Sequence, residues 1–316
     1  MKDGACEMRR SAGTVEGPSQ EWMRKIKRFT MARDGFHGYL HHPEQNLFPG
    51  KAVIVVGGSE GTEAVPLNIG HLFAERGLTA LGVCYWNVPG LPAELVEVPL
   101  ESIERAVSHL RSIGFDDVAL YGISKGGELA LLASSLIPDI GCTIALSPLD
   151  HVMFGITNGT SGPRKSCSSA SSWTWHGSPV APFVPGFTLH KASVVRRLVT
   201  ERQFDLCWAY ERALASAPAG SRIAVENIKG PVLLISPTED RMWPSCSACK
   251  AMEDRLREQR HPFPVKRLEY RYASHIMVPM SSPKLKAFKV ERTHPEECAK
   301  SRADAFDQAL QFLGEW

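Results

Sequence analysis

The segment from residue 118 to residue 133 constrains the fold most, because it joins an apolar run, a Gly-x-Ser-x-Gly pattern and an amphipathic helix. The pattern places Ser124 between Gly122 and Gly126. A serine in this position occupies a strained turn between strand and helix, where a side chain at either glycine would collide with neighbouring backbone. The bare pattern arises by chance, but in this context it predicts a nucleophile elbow with Ser124 as the nucleophile.

The regions on either side of this segment predict a mostly parallel, doubly wound α/β sheet. Short apolar runs, rich in β-branched residues, alternate with helical patterns from about residue 51 onward, as in consecutive βαβ units. An edge strand is predicted at 35–42, paired with the chain that precedes it. The predicted strands are 52–56, 79–84, 117–121, 142–146, 232–236 and 265–270, and the predicted helices are 64–76, 100–113, 125–136, 247–259 and 302–313.

One long stretch interrupts the alternation. Residues 150–229 contain no clean strand pattern, and a helical pattern resumes only at 191–214. An excursion of this length between two sheet strands is typical of an insertion that covers a site; the alternative is a structural elaboration with no role in chemistry. We therefore expect a flexible N-terminal lead over 1–30, a hydrolase core formed by 31–149 and 230–316, and a cap over 150–229.

An acidic residue follows the strand predicted at 232–236. Asp240 lies in the loop after this strand, at the carboxyl edge where the catalytic groups of open α/β sheets gather. Its neighbour Glu239 is the weaker candidate, because a glutamate there serves easily as a solvated surface group. Asp240 is therefore predicted to be the acid that orients a catalytic histidine.

A histidine completes the set. His275 follows the strand predicted at 265–270, and the order serine, acid, histidine is that of an α/β-hydrolase. His294 lies in a charged stretch that contains proline, and His151 precedes the insertion. His275 is therefore the predicted general base, which accepts the proton of Ser124, and the fold class is predicted to be an α/β-hydrolase with a cap insertion.

The first predicted core strand ends in a glycine-rich turn at 57–62. The turn lacks both the spacing of a dinucleotide-binding loop and the lysine of a P-loop. In a hydrolase this loop supplies backbone N–H groups to the oxyanion, together with the N–H of Lys125 after the nucleophile. Ser59 or Glu60 is the predicted second donor, and Gly58 lets the backbone approach the substrate.

Charge and cysteine content exclude several classes of function. The 36 basic and 34 acidic residues give a net charge of +2 without a basic run, so no nucleic-acid partner is predicted. Cys246 and Cys249 form a Cys-x-x-Cys pair, but no second ligand pair accompanies it. Because a structural zinc site needs four ligands, neither a metal nor a cofactor is predicted.

The distribution of apolar residues bears on location. The longest apolar runs are far shorter than the roughly 20 residues of a membrane helix, and the N-terminus lacks the apolar stretch of a signal peptide. The predictions are no membrane partner and a cytoplasmic location; the oligomeric state is left open.

Taken together, these motifs resemble the C-terminal catalytic domain shared by acyl-CoA thioesterases and bile acid-CoA:amino acid N-acyltransferases. The similarity covers about residues 35–315 and is most specific at the Ile-Ser-Lys-Gly-Gly-Glu-Leu-Ala string of 123–130. It extends to the glycines at 57–58, the strand and loop at 230–245, the His275 loop, and short motifs at 172–175 and 182–185.

The resemblance implies an acyl-enzyme mechanism on a small-molecule acyl ester or thioester. The nucleophile is serine, as in the thioesterase members, whereas the amino-acid transferase uses cysteine, so hydrolysis is expected over amide synthesis. Vertebrate members carry an additional N-terminal β-sandwich, whereas only about 30 residues precede the first strand here. Any substrate selection that depends on that sandwich is therefore not expected of this chain.

The predicted cap contains aromatic and basic residues with two interpretations each. Trp173, Trp175 and Phe183 either line an apolar acyl pocket or pack the cap onto the sheet. The basic residues either meet the phosphates of CoA or are simply solvated; they are Arg164, Lys165, Arg196 and Arg197.

Several alternatives to an acyl thioesterase stay open at this point. They are a carboxylesterase, a dienelactone hydrolase, a small peptidase, an acyltransferase to an amine, and a catalytically silent hydrolase-like binding protein.

Overall fold

A computed structural model describes residues 22, 26–158, 165–184, 195, 198–200 and 202–316. Its centre is an eight-stranded sheet in the order β1-β2-β4-β3-β6-β7-β12-β13. The two pairs that involve β2 are antiparallel and the remaining pairs are parallel. The strands are β1 (Lys27–Phe29), β2 (His37–His41), β3 (Lys51–Val56), β4 (Thr79–Cys84), β6 (Asp117–Ile123), β7 (Cys142–Leu146), β12 (Val232–Pro237) and β13 (Val265–Tyr270).

Helices cover both faces of this sheet, and a hydrophobic core lies on each side of it. The central strands alternate their side chains between the two cores, which explains their continuous apolar character. In α3, buried residues recur at 103, 106, 107 and 110, the spacing of one helix face. The helices are α1 (Met31–Asp34), α2 (Ala64–Glu75), α3 (Glu101–Ser112), α4 (Lys125–Leu136), α5 (Cys207–Leu214), α6 (Ser245–Glu258), α7 (Lys289–Thr293) and α8 (Pro295–Glu315).

The predicted strands and helices of the core are present, with small shifts at their ends. The largest difference is α8, which begins seven residues before the predicted residue 302, because Pro295 is well suited to the first turn of a helix. The predicted edge hairpin is also confirmed, since β1 pairs with β2. Residues 27–29, which we had placed in the flexible lead, are therefore part of the sheet.

The expectation that 150–229 lacks strands is wrong. A two-stranded sheet joins β8 (Phe154–Asn158) to β9 (Lys165–Ser171), and a three-stranded sheet has the order β11-β10-β5. Strand β9 is rich in serine and has no β-branched residue, so propensity gives no signal for it. The members of the three-stranded sheet are β5 (Val98–Pro99), β10 (Trp173–Trp175) and β11 (Ser178–Pro179).

Strand β10 connects the insertion to the rest of the chain. It pairs in parallel with β5, which directly precedes α3 in the core, and an isolated bridge joins Leu95 to Ile156. Both contacts join the insertion to the core. In the part of the chain that the structure describes, no helix is both long and apolar enough to span a membrane.

Candidate active site

The turn between β6 and α4 has the geometry expected of a nucleophile elbow. Ser124 has φ 60° and ψ −122°, a left-handed conformation that is strained for a residue with a side chain. A Cβ atom on Gly122 would lie 1.9 Å from the carbonyl oxygen of Gly126, and one on Gly126 would lie 2.1 Å from that of Gly57. Both positions therefore require glycine, as the sequence pattern predicted.

Three side chains that are distant in sequence meet at this turn. The Nε2 atom of His275 lies 2.9 Å from Oγ of Ser124, and its Nδ1 atom lies 2.8 Å from Oδ2 of Asp240. The loops after β12 and β13 bring the acid and the histidine to the carboxyl edge of the sheet beside α4. Each ring nitrogen is thus within hydrogen-bonding distance of a different predicted partner.

Local hydrogen bonds fix the carboxylate of Asp240. Its Oδ1 accepts the backbone N–H of Met242 at 2.8 Å, and its Oδ2 accepts the hydroxyl of Ser245 at 2.6 Å. The Asp240 side chain is buried, whereas that of Glu239 is 73% exposed and pairs with Arg241 at 2.5 Å. The structure therefore brings Asp240, and not Glu239, to the histidine.

The imidazole of His275 rests against residues that the sequence analysis did not identify. The Trp243 ring meets it edge to face, with centroids 4.5 Å apart and an interplanar angle of 82°. The Trp243 indole N–H donates to the carbonyl of Ser147 at 2.9 Å, and the Ser147 hydroxyl donates to the carbonyl of His275 at 2.9 Å. These contacts hold both the ring and the backbone of the histidine loop. The Trp243-Pro-Ser245 motif was the available signal.

The glycine-rich loop after β3 lies directly beside the nucleophile. A Cβ atom on Gly58 would be 3.0 Å from Cβ of Ser124, and the Gly58 N–H donates to Oε1 of Glu60 at 3.0 Å. The Tyr85 hydroxyl donates to the carbonyls of Gly57 and Gly58 at 2.9 and 2.8 Å. Burial raises the pKa of Tyr85 well above its usual value, so it stays a donor. Ser59 and Glu60 are both partly exposed in this loop, and the role of either as the second oxyanion donor stays a prediction.

The lysine after the nucleophile takes part in a second cluster, beneath the elbow. The Lys125 side chain is fully buried, and its Nζ lies 2.7 Å from Oε2 of Glu128. The other Glu128 oxygen accepts the indole N–H of Trp173 at 2.7 Å and the backbone N–H of Met153 at 2.9 Å. Burial lowers the pKa of Lys125, and the carboxylate of Glu128 opposes that shift. The sequence predicted a role only for the Lys125 backbone. The two opposite charges of Lys125 and Glu128 on an otherwise apolar helix were the available signal of this buried ion pair.

The aromatic residues predicted for an acyl pocket fall into two groups. Trp173 and Phe183 are fully buried, and Phe183 packs against Phe154 with centroids 5.8 Å apart. Trp175 is only partly buried. Phe183 thus packs within the insertion, whereas Trp173 packs the insertion onto the core through Glu128 and Tyr85. The role of the three aromatic residues in an acyl pocket stays a prediction. Of the basic residues predicted to meet CoA, Arg164, Arg196, Arg197 and the side chain of Lys165 lie outside the described part of the chain.

The cysteine pair lies on α6 and faces two environments. Cys249 is buried, which raises the pKa of its thiol, whereas the Cys246 thiol donates to Glu269 at 3.3 Å. His151 pairs with Asp150 at 2.8 Å. Within the described ranges, no three His, Cys, Asp or Glu side chains form a group suited to a metal ion.

Comparison with known proteins gives the family from the sequence. A family model described as "BAAT / Acyl-CoA thioester hydrolase C terminal" matches residues 98–315. The peroxisomal succinyl-coenzyme A thioesterase of Mus musculus is 24% identical over 286 residues, which cover 86% of this chain and 61% of that protein. Acyl-coenzyme A thioesterase 1 of Mus musculus is 33% identical over 79 residues, or 24% of this chain and 19% of that protein. The chain thus spans less than two thirds of the length of either relative.

A solved structure covers the fold as a whole. A putative dienelactone hydrolase from Klebsiella pneumoniae matches with a TM-score of 0.55 at 14% identity, covering 92% of this chain and 98% of that one. At this identity the likeness concerns the fold alone, and it confirms the predicted α/β-hydrolase architecture.

Proposed function

The chain belongs to the BAAT / acyl-CoA thioester hydrolase C-terminal family, and we propose that it hydrolyses an acyl thioester or ester through Ser124, His275 and Asp240. This membership confirms the resemblance that the sequence motifs predicted. The observation that carries the proposal is the position of the His275 ring, with one nitrogen 2.9 Å from the Ser124 hydroxyl and the other 2.8 Å from the Asp240 carboxylate.

In the first step, Oγ of Ser124 attacks the acyl carbon while Nε2 of His275 takes the hydroxyl proton. Asp240 accepts a hydrogen bond from the Nδ1–H of His275, which leaves Nε2 free as the base and stabilises the imidazolium that forms. The N–H of Lys125 at the start of α4 and amides of the loop at 58–60 hold the oxyanion, where the helix dipole adds to their effect. Collapse of the tetrahedral intermediate breaks the bond to the thiol or alcohol, which leaves with the proton from His275.

In the second step, water replaces the leaving group. His275 takes a proton from this water as its oxygen attacks the acyl-enzyme, and then returns a proton to Oγ of Ser124. The products are a carboxylic acid and the free enzyme. The serine nucleophile favours transfer to water over transfer to an amine, by analogy with the thioesterase members of the family.

The names of the relatives support a thioester of coenzyme A as the substrate. Both relatives compared above are called coenzyme A thioesterases. The insertion, which is hydrogen-bonded to the elbow helix through Glu128, forms a cap beside the nucleophile in this proposal. The small-molecule acyl substrate is the partner proposed here, and a cytoplasmic location stays a prediction, since one relative is named peroxisomal.

The proposal is tested by assaying purified protein against acyl-CoA thioesters of increasing chain length and against p-nitrophenyl esters of the same acids. We expect turnover of at least one thioester and its loss in Ser124→Ala, with an unchanged circular dichroism spectrum. A fluorophosphonate probe should label the wild type and not the variant. A matched control is Ser135→Ala, because Ser135 lies on the same helix and its hydroxyl donates only to the carbonyl of Leu132.

The possible results separate the candidates. Unchanged kcat in Ser124→Ala would refute the mechanism. Turnover of the p-nitrophenyl esters without any thioester would assign a carboxylesterase instead, and the absence of both turnover and labelling would indicate a silent binding protein.

A further inference from the structure

A basic pocket lies beside the two loops that carry the acid and the histidine. It has a volume of about 290 Å³, and its walls come from the loop after β12, the loop after β13 and the region of α7. We define the basic pocket by Arg241, Arg271, Tyr272, Lys289 and His294, all of which line it. None of these residues takes part in the proposed chemistry at Ser124.

The pocket carries positive charge that its own residues do not neutralise. Glu239 is the carboxylate among its lining residues, and it pairs with Arg241. Among the residues that the structure describes, neither Arg271 nor Lys289 forms an ion pair, and both side chains are exposed. The backbone N–H of Lys289 donates to Oε1 of Gln203 at 2.9 Å, which anchors this wall of the pocket. Two cations are therefore available to an anionic ligand.

A pair of stacked rings forms another wall. The rings of Tyr272 and His294 are 4.7 Å apart at an interplanar angle of 29°, and both residues are partly buried. The Arg271 guanidinium lies 5.4 Å from the Tyr272 ring centroid. Cations beside a flat aromatic surface suit a ligand that combines phosphate groups with a planar base.

The basic pocket adjoins the loop that carries His275, and hydrogen bonds to buried residues hold that loop. Ser274, which lines the pocket, directly precedes His275, and its hydroxyl donates to Oε1 of Glu291 at 2.6 Å. The same oxygen accepts from Arg302 at 2.5 Å, and both Glu291 and Arg302 are buried. Arg271 is four residues from His275, so at most about 15 Å of chain separates them. A ligand with a flexible arm can therefore reach from this pocket to Ser124.

We propose that the basic pocket binds the phosphorylated adenosine end of a coenzyme A thioester while its acyl carbon lies at Ser124. The inference rests on the proposed function and extends it by assigning the residues that recognise the leaving group. Arg271 and Lys289 contact the phosphates, and the Tyr272–His294 wall supports the adenine ring. The pantetheine arm is the flexible connection to the thioester.

The test compares two substrates with the same acyl group, octanoyl-CoA and octanoyl-pantetheine, in the wild type and in Arg271→Gln/Lys289→Gln. Exposed ion pairs contribute modestly to binding, so we expect kcat/KM for octanoyl-CoA to fall about tenfold, mainly through KM. For octanoyl-pantetheine, which has no nucleotide, the fall should be less than about twofold. Equal losses on both substrates, or none on either, would overturn the inference.

The control variant is Arg76→Gln/Arg111→Gln, which removes the same charge at the amino ends of the strands, opposite the catalytic loops. These arginines are 51% and 43% exposed and pair with Asp307 and Asp139, so the change in net charge is matched. Octanoyl-CoA kinetics in this control should stay within about twofold of the wild type.

A binding measurement separates failure of this inference from failure of the proposed function. Calorimetric titration of free CoA into the Ser124→Ala protein does not depend on turnover. Binding that weakens about tenfold in Ser124→Ala/Arg271→Gln/Lys289→Gln supports the pocket even if no thioester is hydrolysed. Binding of equal strength with and without the two cations refutes it even if hydrolysis is observed.

Discussion

The buried pair beneath the elbow makes Glu128→Gln an informative perturbation. The substitution keeps the size of the side chain and removes its charge, so the fully buried ammonium group of Lys125 loses the carboxylate 2.7 Å away. In the wild type, the Trp173 indole and the Met153 N–H both donate to the same Glu128 oxygen, and the single oxygen of the glutamine amide can keep both bonds. The change therefore isolates the contribution of the charge from that of packing.

The expected cost is large. Removing one partner of a buried ion pair typically costs about 3–5 kcal/mol. This is a substantial part of the free energy of unfolding of an ordinary domain, which is about 5–15 kcal/mol. Without Glu128, burial alone acts on Lys125 and its pKa falls further. The unfolded chain keeps this lysine protonated up to about pH 10.4, so the unfolded state binds more protons and the variant's stability rises with pH toward that value.

Chemical denaturation at several pH values, followed by tryptophan fluorescence, measures both effects. The double variant Lys125→Met/Glu128→Leu is the control, because it removes both charges and should recover much of the loss. If Glu128→Gln unfolds at the wild-type denaturant concentration at neutral pH, the carboxylate does not stabilise a charged lysine. If the deficit does not shrink as pH rises, titration of Lys125 is not its source.

Three further substitutions test the site itself. Asp240→Asn should lower kcat about ten-thousandfold, because the amide favours the wrong tautomer of the histidine, while the denaturation midpoint stays near that of the wild type. A loss of kcat below about tenfold would contradict the role of Asp240. Gly126→Ala should lower the unfolding free energy by more than about 3 kcal/mol, since its Cβ would lie 2.1 Å from the Gly57 carbonyl oxygen; thermal denaturation checks this. Tyr85→Phe removes the hydrogen bonds to the carbonyls of the glycine-rich loop and should lower kcat about tenfold with KM nearly unchanged. A kcat equal to that of the wild type in steady-state kinetics would show that the hydroxyl does not position the loop.

Those parts of the fold that local sequence determines were predictable. The central strands are buried on both faces, and the helices between them have apolar residues on one face, so each element leaves a pattern that can be recognised without the others. The elbow was predictable for a different reason, since the Gly-x-Ser-x-Gly pattern between a strand and a helix is itself the signal, although the clash that requires Gly126 is with the distant Gly57. Asp240 and His275 could be located because each directly follows a predicted strand.

The features that escaped prediction depend on contacts between distant segments. Strand β10 contains two tryptophans but is only three residues long, and it exists because it pairs with β5 about 75 residues earlier. The ion pair of Lys125 looked like ordinary helix polarity, because nothing local shows that this helix is buried on all sides. The support of His275 by Trp243 and Ser147 likewise depends on three separate loops meeting.

The buried cluster links the position of the nucleophile to the folding of the insertion. One side chain, Glu128, bonds to the residue next to Ser124 and to two groups of the insertion, the Trp173 indole and the Met153 N–H. Trp173 also packs against Tyr85, with ring centroids 5.4 Å apart, and Tyr85 holds the glycine-rich loop. A displacement of the insertion would therefore reach both the elbow and the loop that faces it. The insertion thus acts as a support of the reaction centre, and its tryptophan can be essential to activity without touching the substrate.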